Sequence, residues 1–236
     1  MLEASEILEG IISFFQPKSL AGKTVVITAG PTFEAIDPVR GITNKSSGKM
    51  GFAVARAAVE AGAQVQLIAG PCSLDTPLAF TGRITRIDVT SAKEMHSAVT
   101  QSLPADIFIG VAAVADWAVA NSTDRKIKKE STNASPELQF AENPDILATV
   151  AKSAKNGKPY CVGFAAETHD LQKNAQEKRA RKGVPLLVGN IGPQTFGSDE
   201  NELLLVEENQ STTTGKADKL TLARQLIQHI SKRIPS

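Results

Sequence analysis

Short aliphatic and β-branched runs alternate along this chain with stretches of helical spacing, and that alternation narrows the fold most. TVVIT (24–28) is a compact run suited to a strand buried on both faces. Met50 to Ala61 reads as a helix rich in small residues, stopped by Gly62. QVQLIA (64–69) and ITRIDV (84–89) are the next strands. Ser91 with Glu94 forms a capping box, followed by an apolar stripe of Met95, Ala98, Val99 and Leu103. DIFIGVAAVA (106–115) opens as a buried strand. LQFAE (138–142) is a candidate short strand, and Asn143–Pro144 reads as the N-cap and first residue of a helix over 145–154. YCVGFA (160–165), a helix ending at Lys182 before Gly183, PLLVGN (185–190), ELLLVEE (202–208) and a helix over 220–230 complete the series.

Strand–helix alternation of this kind predicts an α/β fold: a Rossmann-like, doubly wound, mostly parallel sheet with helices on both faces. The stretch 120–142 breaks the rhythm and reads as an excursion or flap. Residues 1–21 are expected to be a linker or tether helix, with Ile7, Leu8, Ile11, Ile12 and Phe15 at helical spacing and Pro17 ending it. The domain proper is expected over 22–236. No internal repeat or low-complexity tract interrupts it.

Composition removes several function classes. Lys plus Arg total 26 against 25 Asp plus Glu, a formal net charge of +1, which argues against a strongly basic nucleic-acid binder. Cys72 and Cys161 form no C-x-x-C pair, and His96, His169 and His229 form no metal-binding spacing. No apolar run approaches the roughly 18 residues a membrane span needs. The acidic start, MLEASEILEG, is not a secretion signal, so a cytoplasmic location without membrane or nucleic-acid partners is expected.

Two familiar phosphate motifs are absent. Gly41 to Gly48 encloses six residues, where a Walker A loop has four, and Met50 stands where that loop needs Ser or Thr. The dinucleotide fingerprint is missing, and the second strand runs into Ala69-Gly70-Pro71-Cys72 with no acid to hold a ribose diol. What remains is a turn, Ser46-Ser47-Gly48-Lys49-Met50-Gly51, at a helix start. It suits a phosphate, ahead of the alternative of a plain N-cap with glycine for close packing.

Other candidates also carry two readings. Lys126, Lys128 and Lys129 are either a solvated charge run or a flap that delivers a point charge to phosphate. Lys178 and Lys182, four apart beside Arg179 and Arg181, form either a solvated helix face or a polyphosphate clamp. Asp116 follows an apolar strand and can serve a base, a ribose or a metal, or simply cap. Gly163–Phe164 can pack a base or fill core. Asn190, Asp199 and Asn201 are consistent with turn chemistry. A nicotinamide-dependent oxidoreductase and a non-catalytic nucleotide-binding module are the rival classes. The only tyrosine, Tyr160, has Phe164 four residues on, so the oxidoreductase lacks a Y-x-x-x-K pair.

Taken together, TAGPTFEAIDPVRGITNKSSGKMG, AAVADW, KIKK, NPDIL, GFAAET and FGSDEN resemble phosphopantothenoylcysteine synthetase, over roughly residues 22–235. The resemblance implies a CTP-dependent ligase of coenzyme A biosynthesis that joins 4'-phosphopantothenate to L-cysteine through an acyl cytidylate, with Mg2+ or another divalent cation. It implies a homodimer, and a bacterial partner half that is an FMN-dependent decarboxylase. The implied CTP pocket is Gly110, Val111, Ala112, Asp116, Lys126, Pro144, Asp145, Ile146, Leu147, Phe164, Lys178 and Lys182. Lys126 would stabilise the pentavalent phosphate, and Asn44 would hold the phosphopantothenoyl intermediate. Arg40, Ser46, Ser47 and Gly48 are candidates for the substrate phosphate. Metal ligands are not assigned. Trp117 stands where the resemblance also leads one to expect tyrosine.

Overall fold

In the computed structural model, which describes residues 3–128, 137–167, 170–191 and 200–234, helix α1 (Ala4–Phe15) leads into β1 (Thr24–Ala29) and a small hairpin of β2 (Phe33–Ala35) and β3 (Gly41–Thr43). Helix α2 (Lys49–Glu60), β4 (Gln64–Ala69), β5 (Arg83–Asp88), α3 (Ala92–Gln101) and β6 (Ile107–Gly110) follow. The chain continues through β7 (Trp117–Val119), β8 (Phe140–Glu142), α4 (Ile146–Ser153), β9 (Tyr160–Glu167), α5 (Leu171–Lys182) and β10 (Leu186–Ile191). It closes with β11 (Glu200–Val206), β12 (Ser211–Asp218) and α6 (Lys219–Ser231).

The main sheet has eight strands in the order β12-β11-β10-β9-β6-β1-β4-β5. From β10 to β5 every neighbouring pair is parallel; β11 and β12 add on antiparallel. The chain steps outward from β1 to β4 and β5, then crosses back through α3 to β6 on the other side of β1. Strand order therefore reverses between β1 and β6, where an open parallel sheet leaves a crevice at its carboxyl edge.

Alternation along the strands sorts the side chains into two cores. Val25 and Ile27 join Leu67, Ile109, Val162, Leu203 and Leu205 under α2 and α6. Val26 joins Ile68, Phe108, Leu187 and Val206 under α3, α4 and α5. Both faces are thus covered, which is why the strand sequences are near-continuously apolar. Ile27, Leu67 and Ile109 are fully buried, and each contributes on the order of 2 kcal/mol of hydrophobic transfer energy.

The expected architecture holds, with local differences. Asn143 is not the N-cap of α4. Asp145 is: its Oδ1 accepts from the Ala148 N–H at 3.0 Å. Asn143 turns the other way, its amide donating to the Ala115 carbonyl at 3.0 Å and its backbone N–H to the Asp116 carbonyl at 2.9 Å. The excursion is anchored at its roots, because β7 and β8 pair antiparallel, Trp117 opposite Glu142. The long loop after β1 contains the β2–β3 hairpin, fixed where the buried Glu34 accepts from the Ala92 N–H at the start of α3. Strand β12 was not anticipated. Its sequence, STTTGKAD, carries no apolar alternation because it is a half-exposed edge strand, and Thr214 bonds both Leu203 backbone groups at the bulge.

Helix α1 forms as expected, with a capping box between Glu3 and Glu6. It touches the body through polar groups: Glu9 pairs with Arg56 at 2.9 Å, and the buried Ser13 hydroxyl lies 3.3 Å from that of Thr81. Its large apolar residues Ile7, Leu8, Ile11, Phe14 and Phe15 are exposed.

The crossing of α2 over β1 depends on Gly51. A methyl group there would lie 2.6 Å from Ala29 Cβ and 3.0 Å from Ala29 Cα. Alanine is otherwise the better helix residue by about 1 kcal/mol. We expect Gly51→Ala to destabilise nonetheless, by about 1–3 kcal/mol of overpacking, as a lower denaturant midpoint at unchanged slope.

Candidate active site

The crevice at the β1–β6 reversal is built from a segment with little regular structure, residues 110–116. Thr28, at the end of β1, accepts from the Val111 N–H through its carbonyl (3.2 Å) and from the Ala112 N–H through its hydroxyl (3.3 Å). Ala113 donates to the Gly30 carbonyl at 2.9 Å, and Thr32 receives the Ala115 N–H on its hydroxyl at 2.9 Å. Asn44 donates its amide to the Ala113 carbonyl at 2.9 Å from above the hairpin. These bonds leave the backbone of 111–115 fixed at the mouth of the sheet.

Two cavities open there. The first, about 390 Å³, is lined by Gly110, Ala112, Asp116, Pro144, Asp145, Ile146, Leu147, Phe164, Lys178 and Lys182, with Glu142 and Asn143. The second, about 440 Å³, is lined by Asn44, Ser46, Ser47, Gly48 and Val111, with Gly30, Lys49, Asn190, Asn201 and Lys219. They share Ala112, Val114, Asp116, Phe164 and Lys178. Glycines let the second cavity form. Gly48, at the start of α2, has φ +78°, and a Cβ there would lie 3.3 Å from Gly30 Cα.

Arg40 and Lys126 line neither cavity. Arg40 is engaged in a different structure. Its guanidinium pairs with Asp37 and donates to the Ile127 carbonyl at 2.9 Å, while Asp37 Oδ2 accepts the Ile127 N–H at 3.1 Å. Asp37 is buried, and the Arg40 side chain beside it holds its carboxyl far below the usual carboxylate range. The backbone next to the exposed Lys126 is therefore pinned to the β2–β3 turn. Lys128 is exposed as well, whereas Lys129, Phe196 and Asp199 lie outside the described residues.

Lys178 and Lys182 both line the first cavity, one helical turn apart on α5. Lys182 forms an ion pair with Asp145. Burial raises the Asp145 carboxyl, but Lys182 and the Ala148 N–H outweigh it and hold the group below its ordinary value. Burial pushes the Cys161 thiol up to about 12, so it carries no thiolate at neutral pH. Among the described residues no group of three or more His, Cys, Asp or Glu gathers to hold a metal.

Asn190 and Asn201, whose sequence context suggests only turn chemistry, line the second cavity, and Lys219 joins them there.

Residues 20–234 match the family described as the DNA/pantothenate metabolism flavoprotein C-terminal domain. The chain is 44% identical over 238 residues to the coenzyme A biosynthesis bifunctional protein CoaBC of Vibrio cholerae, covering 99% of this chain and 58% of the relative. It is 42% identical over 239 residues to the protein of that name from Escherichia coli K12, again covering 99% of this chain and 58% of the relative. Thus the chain spans little more than half the length of these relatives. The crystal structure of the C-terminal domain of a CoaBC superposes with a TM-score of 0.75 at 33% identity, over 92% of this chain and 97% of that one.

The dual role of Asp145 is separable by mutation. Asp145→Ala should cost about 1 kcal/mol through the lost cap, while Asp145→Asn keeps the cap and loses only the ion pair. Because the native carboxyl titrates below its ordinary 3.8, the pair's contribution is complete above that value and is lost as pH falls through the lower native value. Unfolding midpoints of the three proteins between pH 2 and 7 should therefore converge for wild type and Asp145→Asn only at the acid end.

Proposed function

Because the chain belongs to the family of the DNA/pantothenate metabolism flavoprotein C-terminal domain, we propose that it is a phosphopantothenate–cysteine ligase of coenzyme A biosynthesis, and that it uses CTP. In the first step a carboxylate oxygen of 4'-phosphopantothenate attacks the α-phosphorus of CTP. A new P–O bond forms, the bond to the bridging oxygen breaks, and pyrophosphate leaves with the electron pair. In the second step the amine of L-cysteine attacks the acyl carbon of the cytidylate. The C–N bond forms, CMP departs and the amine loses a proton. Activation is needed because a free carboxylate has no good leaving group.

One observation carries this reading. Two cavities of small-molecule size meet at the switch point of the sheet and share a wall of Ala112, Val114, Asp116, Phe164 and Lys178. A ligase that transfers a nucleotidyl group to a second substrate needs two binding volumes that touch where the bond forms. Gly110, Val111, Ala112, Asp116, Pro144 to Leu147, Phe164, Lys178 and Lys182 hold the nucleotide in this reading. Asn44, fixed by Ala113, holds the acyl intermediate, and Ser46 to Gly48 take a phosphate at the α2 N-terminus.

Lys126 is assigned to the charge that builds on the α-phosphate. Its exposed side chain extends from a backbone secured at Ile127. The described residues build no multidentate metal site, so Mg2+ is read as arriving on the triphosphate with few protein ligands. The functional unit is read as a cytoplasmic homodimer, with the exposed Trp117 and Phe140 on the β7–β8 ribbon available to a second subunit. Arg40, tied to Asp37 and the Ile127 carbonyl, takes no part in this reading. The remaining length of the bifunctional relatives is read as the FMN-dependent decarboxylase half.

A pyrophosphate-release assay with 4'-phosphopantothenate, comparing CTP with ATP and with and without cysteine, tests the reading. Release that requires both CTP and the acid supports it; no release removes it. Lys126→Gln should bind CTP but release pyrophosphate at least about a hundredfold more slowly, on the scale of losing one oriented charge in a transition state. Asn44→Asp should still form the cytidylate and slow the cysteine step, seen as accumulation of labelled acyl cytidylate. Normal turnover by either variant withdraws that residue's role.

A further inference from the structure

The β2–β3 hairpin carries two acids that are almost out of reach of water: Glu34 is 4% exposed and Asp37 1%. A buried carboxylate is tolerated only where its oxygens are bonded. Glu34 serves the root of the hairpin, through the Ala92 N–H at 2.9 Å, and the Phe33 N–H adds a bond to the Thr90 carbonyl at 2.8 Å. Asp37 lies in the turn and divides its oxygens between two tasks. Oδ1 accepts the Val39 and Arg40 N–H groups at 2.9 and 2.8 Å and closes the turn. Oδ2 accepts the Ile127 N–H at 3.1 Å and Arg40 Nε at 3.0 Å.

Ile127 is therefore held at both backbone groups, its N–H by Asp37 and its carbonyl by the Arg40 guanidinium at 2.9 Å. The guanidinium presents its donors in a fixed fork, so carboxylate and carbonyl are set relative to each other. The preceding residues are tied down as well. The Thr123 N–H donates to the Ile36 carbonyl at 3.1 Å, the Thr123 hydroxyl donates to the Arg125 carbonyl at 2.8 Å, and the Arg125 N–H returns to that hydroxyl at 2.9 Å. At the open end of the same hairpin Asn44 donates to Ala113 at the mouth of the sheet. One short hairpin thus links the backbone that carries Lys126 to the fixed stretch of the crevice.

We infer that Asp37 is a positioning residue for Lys126. It touches no ligand and acts through Ile127, by fixing the peptide next to the lysine relative to the sheet. A long, rotamer-rich side chain on a fixed backbone searches a smaller volume than one on a free loop, so less entropy is lost when its ammonium group meets a developing charge. The inference rests on the ligase reading for the task of Lys126, whereas the clamp on Ile127 rests on geometry alone.

Two measurements on the full chain, wild type against Asp37→Asn, test it. In the variant the amide oxygen keeps the turn bonds to Val39 and Arg40, while the amide nitrogen, a donor, faces the Ile127 N–H and the guanidinium. Amide hydrogen exchange at Ile127 should speed at least about tenfold beyond any change at the amides of β1 and β6. Pyrophosphate release from CTP and 4'-phosphopantothenate should show kcat lowered at least about tenfold with the KM for CTP changed less than about twofold. The same substitution in the Lys126→Gln background should change kcat less than about twofold, since Asp37 then has no lysine to position. A kcat loss of equal size in both backgrounds, no loss in either, or unaltered exchange at Ile127 overturns the inference. Asp37→Ser, whose hydroxyl also closes such a turn, repeats both measurements if the asparagine variant does not fold. No pyrophosphate release by wild type removes the ligase reading, and exchange at Ile127 then decides by itself whether Asp37 holds this segment.

Discussion

Thr28 and Thr32 do for the segment 111–115 what a neighbouring strand does elsewhere in the sheet. At the β1–β6 reversal the two chains diverge, and backbone N–H groups would otherwise lose their partners. The two hydroxyls and the carbonyls of Thr28 and Gly30 receive them instead. Asn44 and Asn143 complete the lacing by donating to the carbonyls of Ala113 and Ala115. Three parts of the lining are tied to this stretch: Asp116 at its end, the residues after the hairpin through Asn44, and the approach to α4 through Asn143.

A second constraint is electrostatic. Acidic groups collect on the side of the crevice near α4, where Asp145 is neutralised by Lys182, whereas the α2 side collects lysines and a helix N-terminus. A molecule with an uncharged ring at one end and phosphates at the other has one favoured direction in such a field. Lys178 sits on the shared wall, where charge from either side is within reach.

The fold was legible in the sequence because its strands are buried on both faces. TVVIT, QVQLIA and ELLLVEE had to be covered above and below, and only helices on both sides do that. The helix stops were legible too, in Gly62 and Gly183 at positive φ. Strand β12 was not, since an edge strand exposed on one side has no apolar pattern to read. The site was legible as separate pieces along the chain, such as Asp116 after its strand, Lys178 with Lys182 at helical spacing, and the Ser46–Gly48 turn. The role of Asn143 was misread as a cap because a side-chain amide in N-cap context looks the same whether it bonds forward or across to another strand.

Composition and periodicity by themselves determined the layered α/β arrangement, since it follows from local backbone preference and the need to bury apolar runs. Tertiary structure alone decided which polar residues meet. Lys219 and Ser46 are far apart in the chain, and they line one cavity because β12 returns along the sheet edge and delivers α6 over the same face as α2. Arg40 went the other way: its charge and sequence context place it among phosphate ligands, but the buried Asp37 draws its guanidinium to itself. Long-range pairing of this sort is set by sheet order and by competition between buried partners, neither of which is encoded in the spacing of residues along a single segment.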